Sequence, residues 1–286
     1  MTDWVTITNE QVDPESPVTS ELMTALRDNV VAFAGQSGGA PVSNIAYDAQ
    51  TFTASGTWTK PSIAATGDKV MVWCVGGGGG GAFSSNQAAG GGGGGGAILT
   101  LDLDDFAATE TVVIGSGGAG STNLAGTAPS GGFTSFGTAG TPVGGVAPIF
   151  IRADGGGGGG QSAVGSGGGL RYGVTNNGIA NQLNGSGLDG GDGGTLNQAG
   201  NSSVYGGGGG GGQDSGNGSQ GGFSAYAGRG GFGSDTSGSI DLYPIDGAFP
   251  GGGGGGVDNG ITGGIRGGNG ADGYCVVMCF RGRYST

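Results

Sequence analysis

Five uninterrupted glycine runs, at 76–81, 90–96, 155–160, 206–212 and 251–256, are each six or seven residues long. A flexible linker has no reason to repeat its glycine run at one length, whereas rods packed side by side do. Glycine has no Cβ, so two backbones can approach more closely than any side chain permits. An extended helix of the polyproline II kind, with three residues per turn, makes no internal hydrogen bonds. In glycine, every N–H and C=O of such a helix is then open to neighbouring rods, supplemented by Cα–H contacts to carbonyls. A run of this length spans roughly 20 Å. Ordering glycine costs about 0.5–1 kcal/mol more per residue than ordering alanine, and a hydrogen bond returns a net of only about 1 kcal/mol. Sparse contacts would lose, so the runs must pack as a nearly complete lattice. The expected fold is mainly β with a non-regular polyglycine II bundle, comprising an N-terminal amphipathic helix, a small β-sheet platform and the glycine-rich lattice.

Composition excludes several alternatives. Glycine supplies 79 of 286 residues, but in blocks and with only 9 prolines, which rules out a collagen repeat. A net charge of -12 has the wrong sign for phosphate-backbone binding, so no nucleic-acid partner is expected. Apolar runs such as 70–75 are far below spanning length, so no membrane insertion is expected. The chain has no histidine, which excludes Ser-His-Asp and Cys-His machinery and His-ligated metal sites. Matches of the glycine runs to dinucleotide fingerprints lack the βαβ context and acidic residue that give those motifs meaning. Asp102, Asp104 and Asp105, and the pair Asp189 and Asp192, read as solvated turn residues. The stretch 267–274, GGNGADGY, has the form of one unit of a calcium-binding nonapeptide, a fold that needs tandem copies. The expectation is a non-enzymatic protein with no cofactor and no metal site.

Two regions follow. Residues 1–46 are ordinary in composition and hold one helix-shaped stretch: Ser16 can cap, Pro17 suits the first helical position, and Val18, Leu22, Leu26, Val30 and Phe33 recur at helical spacing. With no second helix to pack on, this stripe, anchored beside Trp4, is expected to meet another subunit or a docking partner. Residues 47–286 form the glycine-rich domain. Strands are expected at 51–54, 56–59, 69–75, 97–103, 110–114, 148–153 and 273–281. In 69–75 both faces are apolar, which predicts a strand covered on both sides. In 97–103 alternation predicts one wet face. The last strand comes from the C-terminus, so the glycine-rich middle should be an excursion returning to one sheet. Of three cysteines, Cys275 and Cys279 lie about 13 Å apart along a strand, too far to bridge. All three read as small buried apolar side chains of a protein made in a reducing cytoplasm.

Recognition is expected in the loops joining the rods, since loops on a rigid scaffold tolerate variation. The stretch 241–250, DLYPIDGAFP, sets Tyr243 and Phe249 on stiff backbone before a glycine run, and Tyr172, Tyr205, Phe223, Tyr226 and Phe232 supplement them. These rings either contact a receptor or glycan through exposed faces or cap the lattice against water.

The segments TFTASGTWTKPS, KVMVWCVGGGGGGA, GGGGGGGAILTLDL, ETVVIGSGGAG and GGNGADGYCVVMCF resemble, in that order, the glycine-rich domain of bacteriophage tail-fibre and appendage proteins. In some phages related glycine runs form the polyglycine sandwich of a receptor-binding adhesin at a fibre tip. The resemblance covers 47–286. Separately, ITNEQVDPESPVTSELMTALRDN is similar to an N-terminal segment of phage virion fibres. The resemblance implies a virion structural protein assembled in the host cytoplasm: a fibre or spike subunit, homo-oligomeric with a trimer favoured. It implies an N-terminus that attaches to other virion proteins and distal loops that face a bacterial surface receptor or glycan. A head fibre or capsid decoration protein is the structural alternative. An ice-binding or matrix protein would use the lattice as a flat face, for which the irregular loops are the wrong feature.

Overall fold

In the computed structural model the described residues are 7, 23–26, 28–29, 46–85, 87–124, 126–137, 149–161, 163–174, 189–195, 198–214, 217–234, 245–258 and 266–281. The fold is mainly β. One antiparallel sheet runs, in spatial order, β1 (Ala46–Phe52), β14 (Tyr274–Phe280), β3 (Lys69–Val75) and β6 (Gly96–Asp102). A second runs β10 (Leu170–Val174), β9 (Ile149–Ala153), β8 (Thr134–Gly137), β7 (Thr109–Val113) and β2 (Gly56–Thr59). Their inner faces share one core: Val70, Val72, Cys74, Val277 and Cys279 from the first sheet meet Trp58, Val112, Phe136 and Ile151 from the second. Trp58, Phe106 and Phe136 pack edge to face at 5.3–6.4 Å between ring centres, the geometry aromatic quadrupoles favour. A 3-10 turn, Leu103–Asp105, follows the edge strand β6. At its rim Asp68, 1% exposed, accepts from Tyr47 Oη at 2.9 Å and Arg281 Nη1 at 3.2 Å.

β14 sits between β1 and β3, so the C-terminus does complete the sheet that the glycine-rich middle leaves. One expectation about strands needs correction. On β3, Val70, Val72 and Cys74 are sealed, but Met71 and Trp73 are only half-buried. On the outer face, among the described residues, Trp73 rests edge-on against Tyr274 at 5.7 Å. The cysteines are not independent: β14 sets Cys275 directly opposite Cys74.

Where β3 ends, side chains give way to backbone. The run 76–81 shows the pattern. Gly76 and Gly79 donate their N–H to Gly95 and Gly92, Gly77 and Gly80 to Gly132 and Pro129, and Gly78 and Gly81 to Ala271 and Gly268, at 2.8–3.0 Å. The accepting stretch changes at each residue and returns every third, and each of these three neighbours runs antiparallel. Three other stretches donate back: Gly156 and Gly159 to Gly77 and Gly80, Gly118 and Ser121 to Gly78 and Gly81, and Gly254 to Gly79. A Cβ built on Gly76 through Gly81 would lie 2.0–2.3 Å from a carbonyl oxygen of one of those same three donors. Six backbones surround one, and glycine is required because no room remains for a methyl group.

The runs 76–81, 90–96, 206–212 and 251–256 are buried throughout, whereas 155–160 is partly open. Around them lie rods that are not pure glycine. In 115–121 the exposed Ser116 and Ala119 are three apart; Asp189, Asp192 and Thr195, Arg229 and Phe232, and Arg266, Asn269 and Asp272 repeat that spacing. Every third residue of these outer stretches faces away from the interior and can carry a side chain. Several bend back as acceptors for rod amides that have no neighbouring carbonyl: Asp272 Oδ1 for Gly117 at 2.7 Å, Asn269 Oδ1 for Gly120 at 2.9 Å, and Asp192 Oδ1 for Gly167 at 2.7 Å. Asn269 and Asp272, the Asn and the Asp of the nonapeptide-like stretch, are thus committed to stitching rods. The end away from the platform closes with short ladders: β5 (Gln87–Ala88), β11 (Gln213–Asp214) and β12 (Asn217–Gly218), and separately β4 (Phe83–Ser84) with β13 (Val257–Asp258).

Of the expected N-terminal stripe, Trp4, Val18, Leu22, Val30 and Phe33 lie outside the described residues. Residues 23–26, 28 and 29 are helical. There Leu26 is 45% exposed while Ala25 and Asn29 are buried. Leu26 therefore does not lie on the covered face within a single chain.

Candidate functional site

Three short turns reverse the chain at the rod ends nearest the platform. Gly207 N–H donates to Gly94 O beside the start of β6, Gly228 N–H to Pro250 O at 2.7 Å, and Gly251 lies against Gly76 and Val75. Gly251 has φ +76°, a left-handed conformation that glycine adopts without strain. The peptide Phe249–Pro250 beside it is cis.

Serines zip two of these turns together. Ser203 N–H donates to Phe223 O at 2.9 Å and Tyr226 N–H to Val204 O at 3.1 Å. Phe223 N–H donates to Ser202 Oγ at 3.0 Å, Gly206 N–H to Ser203 Oγ at 3.0 Å and Ala227 N–H to Ser224 Oγ at 2.9 Å. The result fixes Tyr205 and Tyr226 as a parallel stack, ring centres 5.2 Å apart and planes 7° from parallel. Tyr226 is 58% exposed and Phe223 57%. From the next rod Arg229 lays its guanidinium 5.3 Å from the Phe223 ring centre and 4.4 Å from that of Phe232. Its Nε is buried with no hydrogen-bond partner, and among the described residues it forms no ion pair with a carboxylate. Two aromatic faces therefore hold this cation instead of a counter-ion.

Beside the stack is a depression of about 390 Å³ lined by Asp189, Asp192, Asn201, Ser202, Ser203 and Val204. Their rod places Asp189, part-buried, and Asp192, exposed as expected of a solvated residue, on one concave surface. Burial first, and the neighbouring Asp192 charge second, push the Asp189 carboxyl above its ordinary range. Paired carboxylates suit glycoside hydrolysis, but one Asp192 oxygen is held by the Gly167 amide. The surface sets carboxylates and serine hydroxyls beside flat rings, with Ser203 Oγ itself donating to Asp189 O at 2.5 Å.

The expected aromatic residues divide accordingly. Tyr205, Phe223, Tyr226 and Phe232 belong to this surface. Phe249 is 51% exposed but rests edge-on against Tyr274 at 5.6 Å, continuing to Trp73 as a ladder into the sheet. Tyr172 lies on β10 opposite Ile151, in the platform rather than on a rod turn. Tyr243 lies outside the described residues. Of the expected rings, Tyr205, Phe223, Tyr226 and Phe249 sit on turns at the platform side, not at the far end of the rods. The sequence reading overlooked Arg229, the serine zipper and the depression. The three-residue spacing of Arg229 and Phe232 between glycines was the available signal.

A mainly β platform extended by hydrogen-bonded glycine rods, with aromatic turns at their junction, defines a glycine-rich structural domain. Residues 49–280 match the family of the glycine-rich domain, and the chain belongs to that family. No curated protein matches the sequence.

Proposed function

We propose that the rods are polyglycine II helices in a hexagonal bundle, and that the chain is a non-enzymatic bacteriophage virion subunit, a fibre or spike that contributes to adhesion to the host. The three-residue return of hydrogen-bond partners and the six neighbours of 76–81 support the first part. The observation that carries the second is that Phe223 and Tyr226 are held open to solvent on serine-zipped turns beside an acceptor-lined depression. Large rings fixed outward on rigid backbone lose little entropy on binding. In this reading residues 1–46 attach to other virion proteins and drive homo-oligomerisation, a trimer favoured, with the exposed Leu26 side covered in the assembly.

The double variant Phe223→Ala/Tyr226→Ala is the test. Host adsorption of particles carrying it should fall at least about tenfold, the loss of one good contact, while the melting temperature stays near wild type because both side chains are exposed. Normal adsorption per folded particle rejects the receptor role. The second reading, a head fibre or decoration subunit with a purely structural role, is favoured by the inward ladder Phe249–Tyr274–Trp73, and that result would select it. Light scattering of the full chain against one starting at Tyr47 tests assembly, and a stable full-length monomer removes it.

A further inference from the structure

The three thiols are not equivalent. Cys74 and Cys275 face each other across β3 and β14, both fully buried, and Cys74 Sγ donates to Cys275 Sγ at 3.3 Å. Cys279 is opposite Val70 and Asp48 instead. Directly opposed residues of an antiparallel pair have Cα atoms about 4.5–5.5 Å apart, inside the range of about 4.4–6.8 Å that a disulfide spans. Forming the bond of about 2.05 Å needs only a small approach of the sulfurs.

Their position in the chain gives the bond a consequence. Cys74 is two residues before the first glycine rod, Cys275 two residues after Gly273, and 201 positions separate them. They stand at the two ends of the whole glycine-rich excursion. A cross-link stabilises more as the loop it closes lengthens, by restricting the unfolded chain. A loop this rich in glycine has the most freedom to lose.

We propose that Cys74 and Cys275 are a disulfide site, a covalent clasp across the mouth of the glycine-rich excursion, oxidised by a small disulfide such as oxidised glutathione. The thiolate of one cysteine attacks the small disulfide, forming a mixed disulfide and releasing one glutathione thiolate. The second cysteine's thiolate then attacks the protein sulfur of that intermediate, forming the Cys74–Cys275 bond and releasing the second glutathione. Two protein thiols are oxidised, two glutathiones leave reduced, and the two thiol protons pass to the released thiolates. Only a thiolate reacts; the hydrogen bond to Cys275 and burial hold Cys74 protonated once the sheet has formed. Exchange therefore proceeds from the open chain, and the folded pair keeps the state in which it closed. In the folded sheet burial, with Asp48 nearby, pushes Cys279 up to about 12, and its register opposite Val70 and Asp48 gives it no cysteine to pair with.

Refolding the full chain with and without oxidised glutathione tests this. The expected product is two mass units lighter, has one titratable thiol in denaturant instead of three, gives a linked 74–275 peptide and melts roughly 5–15 °C higher. Cys279→Ala should behave the same with no thiol left, and Cys275→Ala should lose both the mass change and the gain in melting temperature. The proposal is overturned if wild type keeps three thiols under oxidant, if the map links Cys279, or if the bond forms without raising the melting temperature.

Discussion

Trp58 in the platform and Gly79 in the rods are equally sealed from solvent, and what surrounds them differs completely. Trp58 is packed by Phe106 and Phe136, rings whose contact removes apolar surface from water. Gly79 is packed by carbonyls and amides of rods distant in sequence: it donates to Gly92, accepts from Gly254, and its missing side chain leaves room for Gly157. In the platform, interior stability scales with how much side chain is present; in the rods, with how little. One operation, adding or removing a methyl group, should therefore have opposite effects in the two regions.

The largest effect is expected where the rods are violated. Gly79→Val sets its Cβ 2.0 Å from Gly157 O, and Gly209→Val meets Asp192 O at 2.0 Å. Backbone on both sides cannot yield, so either variant should lose more than about 4 kcal/mol, read as absence of a cooperative melt; a wild-type transition would break the contrast. In the platform the opposite change does the damage: Phe136→Ala should lose about 3–5 kcal/mol by denaturant titration, through a cavity among Trp58 and Phe106. Asn269→Ala removes the acceptor of the buried Gly120 amide and should lose about 1–2 kcal/mol by the same measurement. A smaller change, with a sign set by pH, is expected at Asp189. Its carboxyl is raised in the fold, so the folded state disfavours the ionised form. That penalty is present above the folded pKa and disappears as pH falls through it and below the ordinary 3.8. Asp189→Asn should melt slightly higher than wild type at neutral pH and identically in acid. The smallest effect sharpens the comparison most: Gly169→Ala finds only Asp189 Oδ1 at 3.6 Å, ordinary contact, and should be near neutral. If it proved as damaging as Gly79→Val, crowding by backbone would not be the cause.

Much of this architecture was legible, for identifiable reasons. β2 and β3 coincide with the expected 56–59 and 69–75, and β14 falls within 273–281, because dense β-branched and aromatic residues are bounded by glycine or proline. β8 and β10 were missed. TSFG and LRYGV each include a glycine and are too short to alternate visibly, and they are strands because β9 lies between them. Four of the five pure runs marked buried rods, whereas the outer rods were hidden by their Ser, Asp, Asn, Arg and Phe residues. Of the candidate site, the rings could be named because aromatic residues are rare in such a background. Their grouping could not: Tyr205 meets Tyr226, and Arg229 meets Phe223, through turns whose registration depends on hydrogen bonds between 202–206 and 223–227. No periodicity within either segment encodes that pairing.

The outward third position of each peripheral rod has an evolutionary corollary. Unlike Asp192, whose carboxylate holds the Gly167 amide, Ser116 and Ala119 hang outward from their rod. Such sites can be rewritten one at a time, to charge, ring or hydroxyl, without renegotiating the interior. A scaffold of this kind separates the inheritance of its shape from that of its surface, so a lineage can change what it touches while keeping how it stands.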